Sequence, residues 1–382
     1  MKKNNFLVTI ILAVIFGLAS GIVGEIVARG YLFDNDTLLK KIDFSQDYNN
    51  QGVVIRDAKK IVIEQNVKVN ETIDSANASM VGIFKKQSTA KSSSGVNFNI
   101  NNYYQLRQSE GNGLIITSDG WIVADVLPEI KKNPMNYVII TKDKKIYPID
   151  KIIEDTLTSY SFIHVLAKDL PVKKFASDNE IKNGNLVIAI TPSGENILTS
   201  IINQRVDDIS KSVISSDRTV GEIMLNNDSV GENKFYSRAV VFNLSGDVLA
   251  MVNANGYVEP ISQLTGAINS LLKYKEIKRA SLGVHYIDLT NLVLVDANSN
   301  NYLNDGAVIS KDLDGVAIIK NSSAYLAGLK EGDIIISVDN LELDENNHLS
   351  KIIQQHVAGD KINLEYWRQG EKKQVEVVLG QL

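Results

Sequence analysis

Two short strand–turn–strand patterns constrain the fold of this chain more than any other feature. In the first, the apolar runs Gly113–Ile116 and Trp121–Val123 are separated by a turn that contains Asp119-Gly120. An Asp-Gly pair between such runs is a strong hairpin signal. In the second, Val240–Phe242 and Asp247–Asn253 are rich in β-branched and large apolar residues, and the four residues between them also suit a turn. The sequence therefore predicts a mainly β protein.

The N-terminal residues form a long apolar run. Residues Phe6–Gly24 carry no charge, and about 20 such residues are enough to span a bilayer as a helix. Two lysines precede the run and favour a cytoplasmic N-terminus. The predicted boundaries are a cytoplasmic stretch at 1–5, a membrane span at 6–28 and a stalk at 29–71. The stalk is expected to end in a strand around Val67 and Val69. A cleaved signal peptide, with Leu18-Ala19-Ser20 as a weak cleavage site, is the alternative.

Composition excludes several classes of function. The 382 residues are enough for two or three domains. The net charge of −5 disfavours nucleic acid as a partner, because phosphate binding needs a dense Lys/Arg face. The chain has no cysteine, so disulfides, thiolate zinc sites and a cysteine nucleophile are excluded. The sequence has no phosphate-binding glycine loop, HExxH or EF-hand pattern, and we predict no metal or cofactor.

Three segments resemble the trypsin-like domain of the HtrA/Deg family of serine proteases. The first is Glu110–Glu129, which contains the Asp-Gly hairpin. The second is Asp155–Gly194, with its Leu-Pro-Val anchor and a Pro-Ser-Gly end, and the third is Lys234–Asn253, where the family has its nucleophile loop. The resemblance implies a trypsin-like double β-barrel over 72–277, entered through a short helix near Thr72. The activity of the family is that of a serine endopeptidase.

Alignment with these motifs indicates an incomplete catalytic triad. The nucleophile of the family falls on Ser237, but its general-base histidine falls on Leu127 and its orienting aspartate on Ser159. A serine hydroxyl is a poor nucleophile without a base to take its proton and an acid to orient that base. Because the glycines of the nucleophile loop are also replaced, Arg238 is expected to lie in ordinary loop and strand, without an oxyanion hole. The resemblance therefore implies a catalytically impaired protein.

Other residues are candidates for the missing groups. His164 lies in a strand-like segment and is more typical of an exposed strand histidine than of a base for Ser237. Asp125, Asp155 and Asp228 are candidate acids, but each lies in a turn-rich stretch where a solvated carboxylate is expected. Ser237 itself has the simpler interpretation of a loop serine bonded to the backbone. These alternatives stay open.

The last hundred residues carry the most specific family pattern. Asp314–Leu343, which includes Ala327-Gly328-Leu329 and Glu331–Ile335, resembles the core of a PDZ domain nearly position by position. The resemblance implies a PDZ domain at 279–382, where an extended peptide adds to a sheet edge and backbone N–H groups hold its terminal carboxylate. The implied peptide-binding residues are Arg279, Ser281, Leu282, Gly283 and Val284. A polar insertion, Asp288–Leu313, is a candidate cover for this groove.

These features together predict a membrane-anchored, HtrA-like pseudoprotease. Its PDZ domain is expected to bind unfolded or C-terminal peptide segments outside the cytoplasm, as adaptor, scaffold or quality-control partner. One alternative is a weakly active serine endopeptidase that uses Ser237 with an unorthodox base. Another is a structural envelope subunit with a blocked PDZ groove. HtrA proteins are typically trimers, so the resemblance also implies a homo-trimer or a hetero-oligomer with an active relative.

Overall fold

A helix, α1 (Ala58–Ala78), precedes the first strand of the first barrel. The computed structural model describes residues 17, 20, 21, 58–87, 100–205, 213–219, 221–226, 236–290, 292 and 305–382. The strand predicted at the end of the stalk is wrong, because Val67 and Val69 belong to this helix. Val69, Ile73 and Ala76 recur at spacings of four and three residues. They therefore share the helix face that packs against the barrel core.

The predicted membrane span at 6–28 lies outside the described residues, apart from Gly17, Ser20 and Gly21. Within the part of the chain that the structure describes, no helix is long and apolar enough to cross a membrane. The anchor therefore stays a prediction.

The first barrel consists of six antiparallel strands: β1 (Met80–Lys85), β2 (Gly111–Ile115), β3 (Trp121–Ala124), β4 (Tyr137–Thr141), β5 (Ile146–Glu154) and β6 (Ser161–Val165). They close in the order β1-β2-β3-β6-β5-β4, and a short helix, α2 (Pro128–Lys132), follows β3. Side chains alternate along a strand. On β3, Ile122 packs with Ile163 inside the barrel, while Trp121 and Val123 pack in a second cluster shared with the other barrel. Because both faces of β3 are buried, its sequence is apolar throughout.

The second barrel also has six antiparallel strands: β7 (Leu186–Ile190), β8 (Asn196–Arg205), β10 (Glu222–Leu225), β11 (Val240–Asn243), β12 (Val248–Val252) and β13 (Val258–Pro260). A further short strand, β9 (Ile214–Ser215), lies between β8 and β10 in sequence but joins a different sheet. The barrel closes in the order β10-β13-β12-β11-β7-β8. Its interior contains Val241, while Val240 and Phe242 pack in the cluster shared with the first barrel. The predicted double β-barrel is confirmed.

The C-terminal domain follows the helix α3 (Thr265–Tyr274). Its remaining elements are β14 (Ala280–Ser281), β15 (His285–Asp288), β16 (Ala307–Ile309), α4 (Ser323–Leu326), β17 (Ile334–Val338), β18 (Leu341–Glu342), α5 (Leu349–Gln355), β19 (Lys361–Arg368), β20 (Glu371–Val378) and β21 (Gly380–Gln381). The main sheet has the order β20-β19-β17-β16-β15-β9, so its last strand comes from the second barrel. Strand β18 pairs with β17, and β14 pairs with β21.

Two close contacts join the barrels to the C-terminal domain. Gly266 on α3 lies so near α5 that a Cβ there would stand 2.2 Å from the carbonyl oxygen of Gln354. Arg279, at the first residue of the C-terminal domain, forms a buried ion pair with Asp155 of the first barrel, with Nη2–Oδ2 at 2.5 Å. The guanidinium also donates through Nη1 to the carbonyl oxygen of Gln263, at 2.9 Å. Both contacts fix the C-terminal domain against the barrels.

Candidate functional site

Ser237 lies in a turn that leads into β11, and its hydroxyl is bonded to the backbone. The Oγ atom donates to the carbonyl oxygen of Ala254 at 3.1 Å, and the side chain is half-buried. The turn is closed by the Ala239 N–H, which donates to the carbonyl oxygen of Tyr236 at 2.8 Å. Tyr236 is fully buried and donates through its own hydroxyl to the carbonyl oxygen of Asn226 at 2.7 Å. This geometry is that of a loop serine that stabilises a turn.

Arg238 departs from the expectation of ordinary loop and strand. Its φ is +58°, in the left-handed region that non-glycine residues adopt rarely. The strained conformation is stabilised by the guanidinium, whose Nε donates to the carbonyl oxygen of Asp125 at 3.1 Å. The prediction of an ordinary backbone at this position is therefore wrong. The turn has an unusual backbone conformation at Arg238, where no glycine is present. The Arg238 side chain links the two barrels through its bond to Asp125.

Asp125 is a carboxylate that bonds to the same residue as the Ser237 hydroxyl, Ala254. It is 7% exposed, and its Oδ2 accepts a hydrogen bond from the Ala254 N–H at 2.5 Å. Burial raises the pKa of this carboxyl above its ordinary value, while the Ala254 N–H and the Arg238 guanidinium oppose the shift. Ala254 thus holds the acid through its N–H and the serine through its C=O. Asp125 and Ser237 are therefore both hydrogen-bonded to Ala254, the first as acceptor and the second as donor.

The two residues predicted to align with the histidine and aspartate of the triad carry no titratable group. Leu127 is the residue before α2, half-buried against the core of the first barrel. Ser159 is exposed in the bend before β6. Leu127 has no polar atom in its side chain, and the neutral hydroxyl of Ser159 is not a base that could take the Ser237 proton.

The other candidate groups have partners of their own. His164 on β6 bonds through Nδ1 to Asp150 at 2.7 Å, and its ring centroid lies 4.8 Å from that of Trp121. Asp155 is 3% exposed and paired with Arg279, so the expectation of solvated carboxylates is wrong for Asp155 and equally for Asp125. Asp228 lies outside the described residues.

A cluster of acidic residues around the half-buried Glu259 is not evident from the sequence. Glu259 on β13 accepts from the Asn253 side-chain amide at 2.8 Å, while its second carboxylate oxygen has no hydrogen-bond partner among the described residues. Burial raises the pKa of Glu259 to about 7, and the charges of Asp125, Glu222 and Asp155 add to the shift, whereas the bond from Asn253 opposes it. The carboxyl is therefore partly protonated at neutral pH.

The loop before β15, which is predicted to bind a peptide carboxylate, contacts a carboxylate from the connection between β8 and β10. The N–H groups of Leu282 and Gly283 donate to Oδ1 of Asp217 at 2.9 and 3.1 Å. The hydroxyl of Ser281 donates to Oδ2 at 2.6 Å, and that of Ser216 donates to Oδ1 at 2.7 Å. The predicted carboxylate-binding groups therefore converge on one carboxylate, and that carboxylate belongs to the same chain.

The segment that carries Asp217 is paired with the sheet edge. Strand β9 runs antiparallel to β15, with Ser215 opposite His285 and Ile214 opposite Tyr286. The Ser216 N–H donates to the carbonyl oxygen of Val284 at 2.9 Å, which continues the ladder toward the loop. Part of the Asp288–Leu313 insertion forms β16 on the other side of β15, and residues 291 and 293–304 lie outside the described residues. Strand β9 therefore covers the edge of β15 that β16 does not occupy.

The remaining groove residues are distributed as follows. Gly283 has φ of +80°, and a Cβ there would stand 2.3 Å from Cβ of Ser322, so only glycine fits the loop. Leu282 and Val284 are fully buried in the core of the domain. The Arg279 side chain is 1% exposed and committed to Asp155, so its charge is directed into the joint rather than into the groove.

Comparison with known proteins bears on the two parts of the fold. Residues 280–379 match the family model of the PDZ domain. A "Probable periplasmic serine endoprotease DegP-like" of Marinomonas sp. is 25% identical over 293 residues, covering 72% of this chain and 57% of the relative. A protein of the same name from Hahella chejuensis is 26% identical over 290 residues, covering 73% and 58%. The chain thus spans less than two thirds of the length of these relatives.

A solved structure gives the fold comparison. "HtrA-type protease AlgW with decapeptide" aligns with a TM-score of 0.50 and 15% identity, covering 82% of this chain and 98% of that chain. At this identity the alignment speaks for the fold alone. The chain has a PDZ domain behind a double β-barrel of the HtrA type, and in sequence it is related to the DegP-like endoproteases.

Proposed function

We propose that this chain is an HtrA-like pseudoprotease that binds peptide segments through its PDZ domain. It acts outside the cytoplasm as adaptor, scaffold or quality-control partner, and it is tethered to the cell membrane by residues 6–28. The names of the DegP-like relatives place those proteins in the periplasm, which supports the location. Assembly into a homo-trimer, or with an active relative, is part of the proposal.

One observation carries the pseudoprotease assignment: the hydroxyl of Ser237 donates to the carbonyl of Ala254. General-base catalysis needs an acceptor within hydrogen-bond reach that can take the serine proton, and an amide carbonyl is too weakly basic to do so. Leu127 and Ser159 supply no base or acid at the aligned triad positions. The fold of a serine protease is therefore kept while the chemistry is not supported.

Peptide binding is supported by the loop Ser281–Val284. Two adjacent backbone N–H groups and a serine hydroxyl aimed at one carboxylate are the groups that a terminal carboxylate needs. AlgW, whose fold this chain shares, was solved with a decapeptide, which agrees with such a use of the fold.

The pseudoprotease assignment predicts the result of active-site labelling. Purified protein treated with a fluorophosphonate probe is expected to show no more labelling than Ser237→Ala, because the serine is not activated. Casein cleavage by the two proteins is expected to be equally undetectable. Labelling is measured by mass spectrometry of the intact chain, with trypsin as the positive control.

Labelling or casein cleavage that Ser237→Ala abolishes would contradict the proposal. It would support a weak serine endopeptidase instead, with Asp125 as the base, since Asp125 and Ser237 already meet at Ala254. Asp125→Asn would then abolish the activity as well, whereas Asp150→Asn, which removes the partner of His164, would leave it unchanged.

A further inference from the structure

We infer that residues 213–217 are a built-in ligand of the PDZ groove, so that an external peptide binds only by displacing them. The inference rests on the proposed peptide-binding function of the groove. It adds that the groove is closed by the chain itself, and it defines the chemistry of the peptide that opens it. The segment belongs to the connection between β8 and β10, which makes the second barrel the source of the competing ligand.

The segment reproduces both parts of a peptide bound to such a groove. Its backbone pairs as an antiparallel strand with the edge of β15 that β16 does not occupy. Ile214 lies opposite Tyr286, and Ser215 lies opposite His285. Its carboxylate, on Asp217, lies at the N-terminal side of that strand, where the two loop amides converge. In the described residues all four hydrogen bonds to this carboxylate come from Ser281, Leu282, Gly283 and Ser216.

Burial shows that the segment is fitted to the groove rather than lying across it. Ser216 is fully buried, Ile214 is 4% exposed and Asp217 is 7% exposed. Ile214 belongs to the apolar core of the C-terminal domain, together with Tyr286 on β15 and Ile353 on α5. A carboxylate at this depth is tolerated because charge-assisted hydrogen bonds replace its water.

Covalent attachment gives the segment an advantage over any free peptide. A ligand on the same chain competes at an effective concentration on the order of millimolar. The apparent affinity of an external peptide is reduced by the fraction of molecules in which the groove is open. A peptide that would bind the open groove at micromolar concentration therefore binds the closed protein much more weakly.

The internal ligand also indicates what an external one looks like. A chain that ends at the position of Ser216 brings its terminal carboxylate to the amides that now hold the Asp217 side chain. Residues two apart on a strand face the same side, so the residue two before the end takes the place of Ile214. The external ligand is accordingly a free C-terminus with a small last residue and a branched apolar residue two positions earlier.

The test compares the whole chain in detergent with Asp217→Ala and with Asp314→Ala, in which an exposed aspartate of the same domain is removed. The probe is a fluorescein-labelled peptide KSVISS with a free carboxylate, and its amidated form is the control for the terminal charge. In fluorescence anisotropy we expect Asp217→Ala to bind the free-carboxylate peptide at least about 10-fold more tightly than wild type. Asp314→Ala is expected to match wild type, and the amide to bind neither protein.

Hydrogen exchange reports on the segment without any added peptide. In wild type the amides of Leu282, Gly283 and Val284 are expected to be protected, because Asp217 and Ser216 accept from them. In Asp217→Ala they are expected to exchange at least about 10-fold faster, with the barrel strands unchanged.

The two measurements separate the inference from the proposed function. Unchanged exchange of these amides in Asp217→Ala, or measurable peptide binding with the same affinity in wild type and Asp217→Ala, overturns the internal ligand. Faster exchange in Asp217→Ala without peptide binding to any variant supports the internal ligand and contradicts peptide binding as the function of the groove.

Discussion

Replacing Arg279 by methionine is expected to lower the free energy of unfolding by about 3–5 kcal/mol, the usual cost of leaving one partner of a buried ion pair alone. The guanidinium and the Asp155 carboxylate are 1% and 0% exposed, and their two hydrogen bonds measure 3.0 and 2.5 Å. Without Arg279, the donors left to the carboxylate among the described residues are local, the Leu157 N–H and the Thr158 hydroxyl. An uncompensated charge then remains between the first barrel and the C-terminal domain.

Urea unfolding followed by tryptophan fluorescence measures this loss in both domains. Trp121 lies in the first barrel and Trp367 on β19, so single-tryptophan versions made with phenylalanine report on each domain separately. Wild type is expected to show coincident transitions, because the buried pair joins the two parts. Arg279→Met is expected to shift both midpoints and to separate them.

Two further variants test the cause of that loss. Arg279→Met combined with Asp155→Asn is expected to recover at least about half of it, since the neutral amide removes the buried charge and keeps an acceptor for Thr158. Lys361→Met breaks the exposed Lys361–Glu376 pair and is expected to change the free energy of unfolding by less than about 1 kcal/mol. An effect of Arg279→Met as small as that of Lys361→Met would show that the pair does not stabilise the joint.

Replacing Glu259 by glutamine is expected to stabilise the protein at about pH 8 by up to about 3 kcal/mol. The pKa of this glutamate is raised to about 7 from 4.5 by burial and by neighbouring acids. The folded state therefore keeps a proton that the unfolded state has released between these two values. The stabilising contribution of the protonated form is complete below about pH 4.5 and is lost as the pH rises through about 7.

The glutamine variant removes this titration without removing the local hydrogen bond, because an amide carbonyl still accepts from Asn253. Urea midpoints at several values between about pH 4.5 and 8.5 are expected to coincide for the two proteins at the acid end and to diverge at the alkaline end. Glu342→Gln, at an exposed glutamate on β18, is the control and is expected to follow wild type throughout. Parallel curves for Glu259→Gln and wild type would contradict a buried, partly protonated Glu259.

The parts of the fold that can be predicted from sequence are those with a local signature. The Asp119-Gly120 hairpin is predictable because its turn needs a glycine: Gly120 has φ of +115°, and a Cβ there would stand 1.9 Å from the carbonyl oxygen of Val165. The strand pattern of Val240–Val252 and the Gly-rich core of the PDZ domain are equally local. The helix over 58–78 is ambiguous at its N-terminal end because Ile61, Val67 and Val69 suit both a strand and a helix.

The contacts that decide the candidate sites join residues far apart in sequence. Arg279 and Asp155 are separated by 124 positions, and Leu282 and Asp217 by 65. Neither aspartate has neighbours that distinguish it from a solvated turn residue, so no local pattern indicates its burial. The loop Ser281–Val284 carries a sequence pattern, but the segment that contacts it comes from a connection between two barrel strands and carries no motif.

The two hydrogen bonds at Ala254 affect what a single substitution near Ser237 can achieve. If position 127 were a histidine, the Ser237 hydroxyl would still donate to the carbonyl oxygen of Ala254. Asp125 would still accept from the N–H of the same residue. Under the proposed assignment, a histidine at position 127 alone is therefore not expected to produce proteolysis, because Ser237 and Asp125 keep their bonds to Ala254.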